Sequence, residues 1–293
     1  MPNRKSMAVA CCAGICCCTA AVADPSPAPP HVGIDVEIAG RLVHEFAWSR
    51  DAGGPFDRHC FAPCTAARLS DRATVAVEVE FAQDGLAGGR GDGEVVLTFA
   101  VMEYRFRDEF QFRGGIVPSP LGGINLHHGS PLDNLTELPL VDGSLLRSSQ
   151  RESGLGVSTH SGQCREGSVA RRTVAALDVR ADLGGLGLQG ALASASAAAG
   201  ANEHRHGAYA QIDWRARRDL LMRGSSLDLI ARVDAAGLDE GGERASALTL
   251  GLNFLPSADA VFRLDHTWSR AAADGGEAEA APGRTRFSVA TCF

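Results

Sequence analysis

The sequence predicts an all-β fold: a transmembrane, antiparallel, up-and-down β-barrel of about twelve strands, each of roughly ten residues, with a long loop folded into its lumen. Three observations predict it. Stretches of strand length alternate apolar and polar side chains along most of the chain. The polar members of these stretches are mainly Arg and carboxylates, the mixture expected of a water-filled interior. The chain opens on an export signal, and no later apolar stretch is long enough to be a membrane helix.

Strands are expected at 33–48, 72–83, 93–106, 109–118, 152–160, 171–183, 185–194, 206–216, 225–235, 245–255, 260–270 and 284–293. Val75, Val77, Val79 and Phe81 share one face, with Ala76, Glu78 and Glu80 on the other. Met102, Tyr104 and Phe106 oppose Glu103 and Arg105. The same pattern returns with Leu177 and Val179 against Asp178 and Arg180, and with Ile212 and Trp214 against Asp213 and Arg215. It continues with Leu229 and Val233 against Asp228 and Arg232, then Leu248, Leu250 and Leu252 against Thr249 and Asn253, then Phe262 and Leu264 against Arg263 and Asp265. A strand side chain changes face at every residue, so each segment can meet hydrocarbon on one side and water on the other. Trp48, Trp214 and Trp268 stand near strand ends as interfacial anchors. Gly-rich breaks at Gly88 to Gly93, Gly184-Gly185, Gly237 to Gly242 and Asp274 to Gly276 mark turns. The Ala-rich piece Ala191 to Ala201 reads as a loop or a poor strand end.

Arg4 and Lys5 precede a small and apolar run from Met7 to Val22, and Ala21-Val22-Ala23 then forms a small-residue cleavage site. We read 1–23 as a signal peptide, the Pro-rich stretch 24–30 as a linker and 31–293 as the barrel. A lipoprotein reading at Cys11 lacks a sufficient apolar run before it. Cleavage leaves 270 of the 293 residues, and loss of Arg4 and Lys5 takes the formal net charge from −7 to −9. That balance argues against nucleic-acid binding. Lys5 is the only lysine, so apart from His the mature basic side chains are all Arg.

Cys60, Cys64, Cys164 and Cys292 survive cleavage. Cys60 and Cys64 fall in a loop-like stretch, DRHCFAPCTAA, and export favours their oxidation to a local disulfide. A metal site of His59, Cys60 and Cys64 lacks a fourth ligand. Cys164 and Cys292 read as unpaired small residues. Glu203, His204 and His206 match no structural zinc spacing and read as a solvated tip. Arg90-Gly91-Asp92 is a chance tripeptide in a turn, and Gly85 to Gly93 lacks the strand-to-helix setting of a phosphate loop. No cofactor is expected.

Two segments go beyond pattern. Gly114 to Val141 (GGIVPSPLGGINLHHGSPLDNLTELPLV) resembles the porin-like family of Gram-negative outer membranes that includes the phosphate-selective porins. The matching positions are Pro120, Gly122, Asn125, His127, His128, Ser130, Pro131, Thr136, Pro139 and Leu140. Ala247 to Asp265 is similar to the family's penultimate hairpin. The last strand, Arg284 to Phe293, resembles the closing strand of outer-membrane barrels in ending on an aromatic. The resemblance implies a bacterial outer-membrane location and a porin-like function. The chain is shorter than expected for that family. It also lacks the lysine cluster associated with phosphate selectivity, so that selectivity does not transfer.

Strict alternation from a periplasmic start puts the long 119–151 connection at the end where turns should be short. Either a strand is missing from the count or the segment folds inward, and inward folding is the reading taken. Asn125, His127, His128 and Asp133 are then expected on a constriction loop. The expected pore lining is Glu78, Glu80, Glu103, Arg105, Arg113, Arg180, Arg232, Arg263 and Asp265.

The function expected is passive diffusion of small hydrophilic solutes or ions, with membrane lipid as the surrounding partner and a homo-oligomer as one form of assembly. A barrel that does not conduct, acting as scaffold or surface-binding protein, is the alternative. A soluble secreted sandwich is a further rival, and it would stay in solution without detergent. A barrel-borne hydrolase using His127, His128 and Ser130 is disfavoured, because residues this close along a loop rarely converge on one reacting atom. No Gly-x-Ser-x-Gly elbow is present. We therefore expect no catalytic residue and no metal.

Overall fold

The computed structural model describes residues 35–49, 56–84, 93–107, 110–118, 135–141, 151–159, 165–166, 172–197, 204–237, 244–272 and 279–293. The strands are β1 (Asp35–Ser49), β2 (Phe56–Arg68), β3 (Ala73–Asp84), β4 (Gly93–Arg107), β5 (Phe110–Pro118), β6 (Arg151–Thr159) and β7 (Arg165–Glu166). They continue with β8 (Arg172–Asp182), β9 (Leu186–Ala197), β10 (His204–Arg218), β11 (Ser226–Gly237), β12 (Arg244–Ser257), β13 (Ala260–Ala272) and β14 (Glu279–Cys292). Among the described residues no helix is long and apolar enough to cross a membrane. The expected signal peptide and linker, and Cys164, lie outside the described residues.

Every pairing is antiparallel, and neighbours in the sheet are neighbours in sequence with one exception. The exception is β1, which pairs β14, so the first and last strands meet and Arg41 faces Cys292 while Ser49 faces Arg284. The order runs from β7 through β1 and β14 to β8. The described pairings leave the sheet open between β7 and β8, which are consecutive along the chain.

The twelve expected strands are all present, and two more join them. One is the two-residue β7. The other, β2, corrects the loop reading of residues 57–67. It was illegible because its outward positions include His59, Pro63 and Thr65 rather than an apolar row. Pro63 has no N–H to give, and the β2–β3 ladder skips there, from Phe61↔Phe81 to Cys64↔Glu78. Ala191 to Ala197 is strand as well, part of β9 rather than loop.

The missing strand also settles the parity conflict. With β2 and β7 counted, the start of β1 and the end of β14 share one end with the short connections after β2, β4, β8 and β12, while Pro118 and Arg151, the strand ends that bound the long connection, lie at the opposite end. Long connections belong there in outer-membrane barrels. The 183–185 turn needs its glycines: Gly184 and Gly185 have φ of 75° and 122°, and Asp182 accepts the Gly184 N–H at 3.0 Å.

One face of the sheet is apolar and exposed, as Ile38 (72%), Val95 (66%), Leu192 (58%) and Val233 (55%) show. Trp48, Trp214 and Trp268 lie on this face, about half exposed. The opposite, inner face holds the buried charged side chains together with small apolar clusters. Cys64, Ala76, Phe99, Val101 and Val117 form one such cluster. A bulge at Glu78/Val79 shifts the β3–β4 register, which is why the consecutive residues Thr98 and Phe99 are both buried. A sheet with its charges inside and its hydrocarbon outside inverts the arrangement of a water-soluble sheet, where exposed apolar patches are small.

Candidate functional site

The inner wall is a set of ion pairs, each built by two residues that register places side by side or two apart. Glu78 on β3 faces Cys64 on β2, and Arg41 on β1 faces Ala62. Arg41 therefore reaches across β2: Nη1 donates to both Glu78 oxygens at 3.0 and 3.1 Å, and Nη2 donates to Glu80 Oε2 at 2.8 Å. This triad is nearly sealed from solvent at Arg41 and Glu78. Arg232 Nε donates to Asp234 Oδ2 at 2.9 Å on the same face of β11. Arg113 on β5 pairs with Glu103 on β4. The buried pairs lose much of their attraction to desolvation, although removing one partner of such a pair is costly.

Residues 135–141 cross this wall and are fastened to it. The backbone N–H groups of Thr136 and Glu137 both donate to Asp265 Oδ2, the second at 3.2 Å. The Thr136 hydroxyl lies 2.7 Å from the Ser288 hydroxyl. Arg286 bridges two carboxylates, Glu45 at 2.5 Å and Glu137 at 2.6 Å, tying the segment to β14 and β1 together. The Leu140 N–H donates to Asp234 Oδ1 at 3.2 Å, leaving Oδ2 to Arg232.

Two glycines make sockets for its apolar side chains. A side chain on Gly251 would collide with Leu135 Cδ2, and one on Gly207 would crowd Val141 Cβ at 3.3 Å. Val141 is fully buried among Ala191, Ala193, Tyr209 and Ala236. The Ala-rich β9 thus has a purpose on its inner face: small residues admit the crossing segment.

All nine expected lining residues fall on this inner face by register. Their surroundings differ. Glu78, Arg232, Arg263 and Asp265 are buried, Glu80, Glu103 and Arg113 are half-buried, and Arg105 and Arg180 are exposed. Arg105 lies at the terminal-bearing end, where Nη2 donates to the Asp71 carbonyl at 2.8 Å. Sequence reasoning left out Arg41, Glu45, Asp234 and Glu137, although Leu42, Phe46 and Trp48 alternating with Arg41 and Glu45 carried the signal. Thr136, Pro139 and Leu140 were named only through the family resemblance. Asn125, His127, His128 and Asp133 lie outside the described residues.

The disulfide is corrected. Cys60 and Cys64 are not joined to each other. They lie four residues apart on one strand, roughly 13 Å along it, whereas bridged Cα atoms sit within about 7 Å. Among the described residues no group of three or more His, Cys, Asp or Glu side chains could hold a metal ion.

The sequence matches no protein-family profile. An uncharacterised protein of Aquifex aeolicus (strain VF5) is 29% identical over 80 residues, which is 27% of this chain and 18% of that protein. Solved structures resemble it over most of its length. OmpT of Vibrio cholerae, an outer-membrane protein in its trimer form, superposes with a TM-score of 0.52 at 11% identity, covering 89% of this chain and 99% of that one. OpdK of Pseudomonas aeruginosa, solved with vanillate, superposes with a TM-score of 0.52 at 10% identity, covering 88% and 98%. The chain therefore has the fold of an outer-membrane antiparallel up-and-down β-barrel.

Proposed function

We propose that the protein is a channel of the bacterial outer membrane, admitting small hydrophilic solutes or ions by passive diffusion past the 135–141 segment. The observation that carries this reading is the inverted sheet: apolar side chains face out, while Arg41, Glu78, Arg232, Asp234, Arg263 and Asp265 face in. Selectivity arises from lumen width and lining charge. Residues 1–23 are taken as the export signal and removed. No catalytic step is assigned, and a homo-oligomer is included in the proposal in view of the trimer form of its structural neighbour.

Single-channel conductance of the detergent-purified mature protein in a planar bilayer, under a salt gradient, tests the reading. Discrete steps are expected. Arg105→Glu should move the reversal potential toward cation preference, because Arg105 is exposed on the inner face near an opening. Arg263→Gln suits the interior better than charge reversal, since Arg263 is buried and a carboxylate there would be isolated.

The fastening of 135–141 favours a second reading, a barrel whose lumen is blocked and which serves as scaffold or surface-binding protein. Silence of the inserted wild type, with conductance on deletion of 135–141, would establish it.

A further inference from the structure

Among the described residues, the outer face carries a hollow with mainly apolar walls and a rim of cationic side chains. Register aligns its residues in rows across the strands. In one row Leu192 faces Ala208, Ala208 faces Ala235, Ala235 faces Ser246 and Ser246 faces Arg270. In the next row toward the long-connection end, Ser194 faces His206, His206 faces Gly237 and Gly237 faces Arg244. These rows line a hollow of about 850 Å³. The inner residues between them, Ala193, Gly207 and Ala236, are packed against Val141 from the other side, so the hollow opens outward.

Its chemistry is lopsided. Arg244, Arg270 and His206 are all exposed, and the two rows contain no Asp or Glu although the whole chain is net negative at −7. Arg244 and Arg270 are diagonal neighbours on β12 and β13, near enough to hold one tetrahedral anion between two guanidinium forks. Among the described residues neither has an ion-pair partner. Gly237 lets the imidazole of His206 lie over β11 toward Arg244: a Cβ there would come within 2.8 Å of His206 Cε1. One row further into the band, Val233 faces Leu248 and Leu248 faces Trp268, all bulky and exposed. The hollow therefore has cations on its outer side and hydrocarbon-facing side chains on its inner side.

We propose that this hollow binds a phosphorylated lipid of the outer leaflet, its phosphate held by Arg244 and Arg270 with His206 beside it and its acyl chains descending over Val233, Leu248 and Trp268. The proposal rests on the outer-membrane reading, which sets the long-connection end outside, but it does not require conduction. Small side chains at Ala208, Ala235 and Ser246 give the headgroup room, and the arginines give a reason for cations to stand beside lipid.

The test uses mature protein refolded in neutral detergent, free of native lipid, and titrated with diphosphoryl lipid A or its dephosphorylated form by native mass spectrometry. Insertion into phosphatidylcholine vesicles and heat-modifiable migration are measured on the same samples. Wild type should prefer the phosphorylated lipid about tenfold, near what two surface cations supply. Arg244→Gln with Arg270→Gln should bind both lipids equally while still inserting. Gly237→Val should weaken the phosphorylated lipid alone. Equal binding of the two lipids by inserted wild type, an unchanged preference in the double variant, or displacement by inorganic phosphate at the same concentration as the lipid would overturn the site. Failure of wild type to insert would instead overturn the outer-membrane reading beneath it.

Discussion

The ring of Phe293 lies over Gly40, filling space that a side chain at 40 would need. Their backbones are joined as well, Gly40 N–H to Phe293 C=O at 2.9 Å and Phe293 N–H to Gly40 C=O at 3.1 Å. The ring stacks on Phe61 at 6.1 Å, and Phe61 on Phe81 at 6.2 Å, so the carboxy terminus begins an aromatic ladder across β14, β2 and β3. The contact seals the junction where the chain's last strand meets its first. A Cβ at 40 would stand 2.6 Å from Phe293 Cζ and 2.9 Å from the Ala62 carbonyl oxygen. Gly40→Val should therefore lower stability by about 1–3 kcal/mol, the usual cost of overpacking. Urea unfolding in lipid vesicles reads the change, and wild-type stability in Gly40→Val would show that the seam tolerates a side chain.

Arg41 neutralises two carboxylates at once. Arg41→Met removes the guanidinium that bridges Glu78 and Glu80, and it should cost about 3–5 kcal/mol. Adding Glu78→Gln to that variant should recover part of the loss. A double-mutant cycle on unfolding free energy measures the coupling, and strict additivity would contradict the triad.

Asp265 and Gly251 hold the crossing segment in different ways, by hydrogen bonds and by vacancy. Asp265→Asn weakens two charge-assisted bonds, each of a kind worth about 1.5–3 kcal/mol. Gly251→Val places a side chain where Leu135 now sits. Both variants should raise single-channel conductance or its noise while keeping the barrel. An unchanged trace in both would mean that 135–141 does not set the width.

Leu250 is 45% exposed, in the middle of the outward face of β12. In a water-soluble sheet, Leu250→Arg would be nearly neutral. In a bilayer it should destabilise by about 2–4 kcal/mol if the site is near the midplane. Unfolding measured in vesicles separates the two solvents.

Cys60 and Cys64 should both alkylate in unfolded protein without prior reduction. A peptide carrying both cysteines that labels only after reductant would restore the disulfide.

Much of the fold could be read in advance because alternation is local. Each of β3, β4, β8 and β10–β14 carries its face assignment in its own residues, and the inner positions of Glu78, Arg232, Arg263 and Asp265 follow from it. The strand β2 could not be read that way: Pro63, two cysteines and small residues hide its period, and only its neighbours β1 and β3 make it a strand.

The sequence by itself determined which side chains share a face, because the two-residue period of a strand is a property of the backbone. It also determined that the charges gather on one side of the sheet and the hydrocarbon on the other. The tertiary structure alone decided which charges pair. Arg41 meets Glu78 37 residues away, and Arg286 meets Glu45 241 residues away, through registers that no local pattern encodes. Inward folding of the long connection is expected from the sequence, but the tertiary structure alone decided where 135–141 is seated, because that path depends on sockets at Gly207 and Gly251 supplied by strands far along the chain. The basic hollow likewise exists only after register aligns His206, Arg244 and Arg270, which in sequence are three unrelated residues near strand ends.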